Sequence, residues 1–163
     1  MLFFSILLAA SAAGTDAVPS CLHHVAELRP VAITAYDVAH DKQGSNSISC
    51  NFNLTASEAE HDLKMILTAA TKKDCQSLVS VSNIPLSVQF VRGGTRKFSR
   101  AGICQRKDSI RRFLKNNSAS FALNQLQLLG WRGAFLGSDK ILINTIRDGA
   151  GRPHLKLVAI GPV

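Results

Sequence analysis

The chain has 163 residues, 46% of them apolar and 18% charged, with a formal net charge of +8 and a pI near 9.7. That balance excludes a disordered polyelectrolyte and leaves enough apolar material for a core. No apolar run reaches the about 20 residues that a membrane-spanning helix needs.

The first residues set how the rest is read. Leu2-Phe3-Phe4-Ser5-Ile6-Leu7-Leu8-Ala9-Ala10 is an apolar run, followed by Ser11-Ala12-Ala13-Gly14 and then Thr15-Asp16-Ala17. A short apolar segment ahead of small residues has the layout of a secretory signal peptide with small-x-small cleavage sites, although its n-region carries only the terminal amine. The expected organisation is a signal peptide over 1–17 and a single secreted, extracellular domain over 18–163.

Cys21, Cys50, Cys75 and Cys104 are widely and evenly spaced, with no C-x-x-C pair. This spacing argues against a zinc site and a thioredoxin-like motif, and in an oxidising compartment it predicts two disulfides. Four cysteines allow three pairings, and the sequence does not choose among them. Asn53-Leu54-Thr55 and Asn116-Asn117-Ser118 are glycosylation sequons, with Asn53 and Asn116 as acceptors, and they suit the same compartment.

The elements follow in order. Val31–Val38 is rich in β-branched residues and reads as a strand, and 40–47 as a polar turn. Ile48, Cys50, Phe52 and Leu54 alternate with polar residues. This predicts a second strand, hairpinned to the first, with Cys50 pointing inward. Thr55-Ala56-Ser57-Glu58 is a capping box, and Ala59, Leu63, Ile66, Leu67 and Ala70 form one apolar stripe, so a helix follows, with Lys72-Lys73 in its last turn and Cys75 just beyond. Leu78–Ser82 and Leu86–Val91 read as strands broken at Asn83-Ile84-Pro85, and 92–102 as a basic, glycine-containing loop. Asp108 is placed to cap a helix carrying Ile110, Phe113 and Leu114, which breaks near Asn116-Asn117-Ser118. Ala119–Leu129 reads as a further helical piece ending at Gly130. Trp131–Leu136, Ile141–Arg147 and His154–Ile160 read as three strands of a meander, with Trp131 expected in the core or at a sheet edge. The fold class expected is α+β: one domain, a largely antiparallel sheet with two or three helices, stapled by two disulfides.

Charge is unevenly placed. Arg92, Arg96, Lys97, Arg100, Arg106, Lys107, Arg111, Arg112 and Lys115 crowd one stretch whose only acid is Asp108. Gathered on one face, these cations would attract a polyanion; dispersed, they would only keep the chain soluble. Gly93-Gly94 lacks the order of a phosphate-binding loop, and there is no G-x-S-x-G elbow for a serine hydrolase. No ligand set has metal-type spacing, and His23-His24 are adjacent; no cofactor or metal is expected. The dibasic pairs Lys72-Lys73 and Arg111-Arg112 lie in predicted helices, which disfavours processing there.

Tyr36, His40, Glu58, His61, His154 and the arginines supply groups for acid–base chemistry. In residue types alone this set resembles that of secreted fungal ribonucleases, which implies hydrolysis of an RNA phosphodiester. In overall layout, the leader 1–17, the even set Cys21, Cys50, Cys75 and Cys104, and the lack of a catalytic signature resemble small secreted effectors of plant-colonising, smut-type fungi. That resemblance implies binding of host proteins and assigns no role to individual residues. The leading expectation is a non-enzymatic secreted binding protein that meets a host or surface protein, or a polyanion, through its basic stretch; the alternative is a ribonuclease-like hydrolase.

Overall fold

The computed structural model describes residues 20–43, 46–137 and 140–163. The expected signal peptide, and the tips of the turns at 44–45 and 138–139, lie outside the described residues. Among the described residues seven helices flank a six-stranded sheet, and the fold is α+β. The helices are α1 (Ser20–Leu28), α2 (Ala35–His40), α3 (Ile48–Phe52), α4 (Ala56–Thr71), α5 (Cys75–Ser80), α6 (Arg100–Gln105) and α7 (Lys107–Asn116). A two-residue ladder, β1 (Lys42–Gln43) with β2 (Asn46–Ser47), stands apart from the main sheet. The sheet strands are β3 (Ser82–Phe90), β4 (Gly94–Phe98), β5 (Leu126–Leu128), β6 (Ala134–Leu136), β7 (Ile141–Arg147) and β8 (Pro153–Ile160), in the spatial order β4-β3-β8-β7-β6-β5. Every neighbouring pair is antiparallel except β3 with β8.

The two elements with the longest periodic patterns form as expected. Thr55 and Glu58 make the reciprocal capping box of α4, and Ala59, Leu63, Ile66 and Ala70 are buried along its stripe. Ile110, Phe113 and Leu114 bury one side of α7. Ile141, Ile143, Leu155 and Leu157 alternate into the core from β7 and β8, and Leu86 and Val88 do so from β3. Helix stripe and strand faces meet in one contiguous apolar cluster.

The first third departs from the expected hairpin. The β-branched stretch 31–38 holds no strand; Thr34 caps α2, with Asp37 completing a second capping box. Ile48–Phe52 is α3 rather than a strand, because the Ser47 side chain accepts from the Cys50 N–H and buried Asp41 accepts from both the N–H and the hydroxyl of Ser49. Ile48 and Phe52, four apart, both reach the core from one helical turn, so the same apolar residues satisfy either period. Cys50 is exposed rather than inward and bonds Cys21, tying α3 to α1. Asp74 caps α5 where a strand over Leu78–Ser82 was expected, and Cys75 bonds Cys104 in α6.

Other boundaries also shift. Asn83-Ile84-Pro85 does not end the strand: β3 runs through it, with a register shift between Ser82 and Ser87 and a cis bond at Ile84–Pro85. The basic segment is not a loop but β4 and α6, whose cap is Ser99. Lys72 and Lys73 lie past the end of α4. Asp108 sits in the first turn of α7 without capping it. The expected helix over Ala119–Leu129 is instead two single 3-10 turns and β5, and β6 starts at Ala134. Trp131 is neither in the core nor on a strand. It is 86% exposed on a turn between two positive-φ glycines, Gly130 and Gly133.

Candidate functional site

The nine cations of the basic stretch divide among three places. Arg92, Arg96 and Lys97 ride on the exposed β3–β4 hairpin at one edge of the sheet, with Arg96 over the Phe90 ring at 5.9 Å. Arg100 and Arg106 bracket α6. Lys107, Arg111, Arg112 and Lys115 lie on α7.

Packing α7 against α4 gathers part of this set. Arg111, Arg112 and Lys115 meet Lys72 and Lys73, at the end of α4, around an open depression of about 400 Å³. Asp108 is the one acid on its rim. Arg92, Arg96, Lys97, Arg100, Arg106 and Lys107 do not line it. Arg111 is buried: Nη2 donates to the Asp74 carbonyl at 2.7 Å, and Nη1 donates to Asp108 Oδ1 at 3.3 Å. The two lysines entered the sequence reading only as a dibasic pair. The missing signal was that α7 buries Ile110, Phe113 and Leu114, which turns its arginines toward the end of α4.

A second cleft, of about 490 Å³, lies between the α1–α2 connection, α4 and the start of β8. Pro30, Val31, Leu54 and Pro153 form its apolar part, and Arg29, Glu58, His61, Asp62, Arg152 and His154 its polar part. Glu58 and His61 are one turn apart on α4, and Asp62 follows at i+4 from Glu58, so one helical face delivers all three.

Most of these groups are committed to one another. Arg29 Nη1 and Nη2 both donate to the Glu58 carboxylate, which also accepts from the Thr55 N–H at 2.9 Å. Burial pushes the Glu58 carboxyl up, but the Arg29 hydrogen bond and charge, with the Thr55 N–H, bring it below its ordinary range. Buried Asp62 accepts from the Leu155 N–H at 2.7 Å and faces His154 Nδ1 at 3.4 Å. His154 Nε2 faces Asp148 at 3.5 Å. The Arg152 N–H, against a burial penalty, then the Ala150 N–H and neighbouring His154, hold the Asp148 carboxyl below its ordinary range. His154 thus clamps α4 to the β7–β8 turn. His61, on the rim, is exposed.

The cleft holds three members of the acid–base set, Glu58, His61 and His154, and adds Arg29 and Arg152. It does not hold Tyr36 or His40, which stack on each other on α2 at 4.1 Å while the Tyr36 hydroxyl donates to Glu60 at 2.8 Å. His23 and His24 each face Glu27 on α1. Among the described residues no group of three or more His, Cys, Asp or Glu is arranged to hold a metal ion, and no helix is long and apolar enough to cross a membrane. Asn116 is exposed at the end of α7, and half-buried Asn53 ends α3 in the left-handed conformation. No protein family, curated protein or solved structure matches the chain.

Proposed function

We propose that the chain is a secreted, disulfide-bonded binding protein without catalytic activity, an effector-like module that engages a host or surface partner through its basic face. One observation carries this reading: Lys72, Lys73, Arg111, Arg112 and Lys115 converge on a single open depression with one carboxylate on its rim. Clustered cations attract an anionic surface and speed its capture, and this attraction is sensitive to salt. Export is supported by the leader-like segment 1–17, by the two sequons, and by two disulfides of the kind that persist in oxidising compartments. The test is retention on a heparin matrix, used as a polyanion probe. The protein with Lys72→Ser, Lys73→Ser, Arg112→Ser and Lys115→Ser should elute at clearly lower salt than the wild type, because fewer counterions are displaced. Equal elution would remove the depression from the reading.

A second reading, a ribonuclease-like hydrolase, is favoured by the cleft that brings His154, His61, Glu58, Arg29 and Arg152 together. It ranks lower because a general base needs a free lone pair. Glu58 accepts three hydrogen bonds from Arg29 and Thr55, which lower its affinity for a proton, and both His154 nitrogens face carboxylates. An RNA-cleavage assay of purified protein decides it. Activity lost in both His154→Ala and His61→Ala would establish this reading, and no cleavage by the wild type would end it.

A further inference from the structure

We infer that the α4–α7 depression is a site for a phosphomonoester dianion, organised around Arg111. The inference rests on the basic-face reading and names the group recognised there. Arg111 is only 9% exposed. A buried cation costs several kcal/mol of lost hydration unless a well-placed anion and a full set of acceptors replace the water. Here the replacement is incomplete. The counter-charge is one 3.3 Å contact to Asp108, whose side chain is 80% exposed, and the other acceptor is a neutral carbonyl, that of Asp74. Arg111 Nε has no hydrogen-bond partner at all.

The surroundings deepen this deficit. Lys72, Lys73, Arg112 and Lys115 line the same depression, and among the described residues none of them has a carboxylate within ion-pair distance. Five cations face Asp108 here, the exposed Asp74 carboxylate beside Lys72 is the other acid close by, and the excess of positive charge stands until an anion enters. A carboxylate supplies one charge and two oxygens, too little for this set. A phosphomonoester supplies close to two charges and three strong acceptor oxygens, so that Arg and Lys donors can be satisfied at once. The depression is open, which suits a group carried on a larger molecule, here a phosphorylated side chain of a partner protein.

The test is NMR titration of the folded, disulfide-intact protein with inorganic phosphate at constant ionic strength, with chloride as control. Saturable shifts are expected for the amides of α7 and of Lys72 and Lys73. With free phosphoserine in place of inorganic phosphate, affinity should fall several-fold as pH drops from 7.5 to 5.5, where the monoester dianion gains a proton (pKa near 6). Arg112→Ser with Lys115→Ser, both exposed and outside the core, should weaken binding at least tenfold, and Arg111→Lys should do the same if it folds. A phosphoserine peptide should compete with phosphate, and vesicles bearing a phosphomonoester lipid should not; competition by the vesicles alone would overturn the side-chain assignment, and competition by neither would overturn the site. No saturation by phosphate, or chloride binding as well as phosphate, also overturns it. If phosphate fails while the four serine substitutions still lower the salt of heparin elution, the dianion site falls and the basic face stands. If phosphate binds while heparin retention is unchanged, the basic-face reading falls and the site stands.

Discussion

Removing the Asp37 carboxylate should expose how the N-terminal segment is held. Asp37 is fully buried on α2 and accepts four hydrogen bonds: the Thr34 N–H and hydroxyl at 2.9 and 2.7 Å, and the Ser57 N–H and hydroxyl at 2.8 and 2.7 Å. It therefore caps its own helix and fastens it to the first turn of α4. Burial pushes its carboxyl up, but the Ser57 and Thr34 bonds outweigh that and lower it from 3.8 to about 2. A depression of that size corresponds to about 2–3 kcal/mol of stability at neutral pH. The folded pKa lies below the unfolded one, so this contribution is complete above about pH 4 and fades as pH falls toward 2. Asp37→Ala should thus lose about 3 kcal/mol at pH 7, read from urea unfolding followed by far-UV circular dichroism, and the gap to the wild type should narrow steadily from pH 4 to pH 2. Asp37→Asn should fare nearly as badly, since its amide turns donors toward donors. A loss below about 0.5 kcal/mol at pH 7, or a gap that stays constant down to pH 2, would refute the assignment.

Three further substitutions test the sheet and the core. Gly133→Ala should cost at least about 2 kcal/mol, because a Cβ there would lie 2.1 Å from the Ile143 carbonyl oxygen at a φ of +105°; Gly149→Ala, with nothing within 4 Å, should stay within about 0.5 kcal/mol. Equal melting temperatures for the two would contradict that geometry. Leu63→Ala, at a fully buried position on α4, should cost about 2–5 kcal/mol in the same urea assay, and a smaller loss would mean the core collapses around the cavity.

Legibility in the sequence followed the length of each pattern. Helix α4 announces itself with a capping box and an apolar stripe repeated over several turns, and β7 and β8 are apolar runs set off by glycine-containing turn segments. Ile48 to Leu54 shows why shorter signals mislead: four apolar residues at period two contain an i, i+4 pair, and the side-chain acceptors Ser47 and Asp41 select the helix. At Thr34 the same threonine-plus-acid signature that marks α4 was present, but β-branched neighbours masked it. The candidate site was less legible for a different reason. Lys73 and Arg112 are brought together by the packing of α4 on α7 and by the Cys75–Cys104 bridge, and no local pattern encodes a crossing or a pairing. The basic count in 92–115 was visible, but not that Arg92, Arg96, Lys97, Arg100, Arg106 and Lys107, six of the nine cations, lie away from the depression.

The second disulfide bears directly on the basic depression. Arg111 donates to the Asp74 carbonyl, and Asp74 lies between Lys73 and Cys75. Cys75 is bonded to Cys104 in α6, which leads through Arg106 into α7. The bridge therefore closes a ring in which the lysine wall and the arginine wall are held at fixed separation. With a sequence separation of 29, its loss should cost about 3–4 kcal/mol on a loop-entropy model. It should also cost binding, at temperatures where the variant remains folded, because the cations must then be reassembled before an anion is gripped. Cys75→Ser with Cys104→Ser should elute from heparin at lower salt than the wild type. Cys21→Ser with Cys50→Ser has the same separation but ties α1 to α3, away from the depression, so it should lose similar stability and keep wild-type elution. If the two pairs of substitutions shifted elution equally, the Arg111–Asp74 link would not be what sets the spacing of the charges.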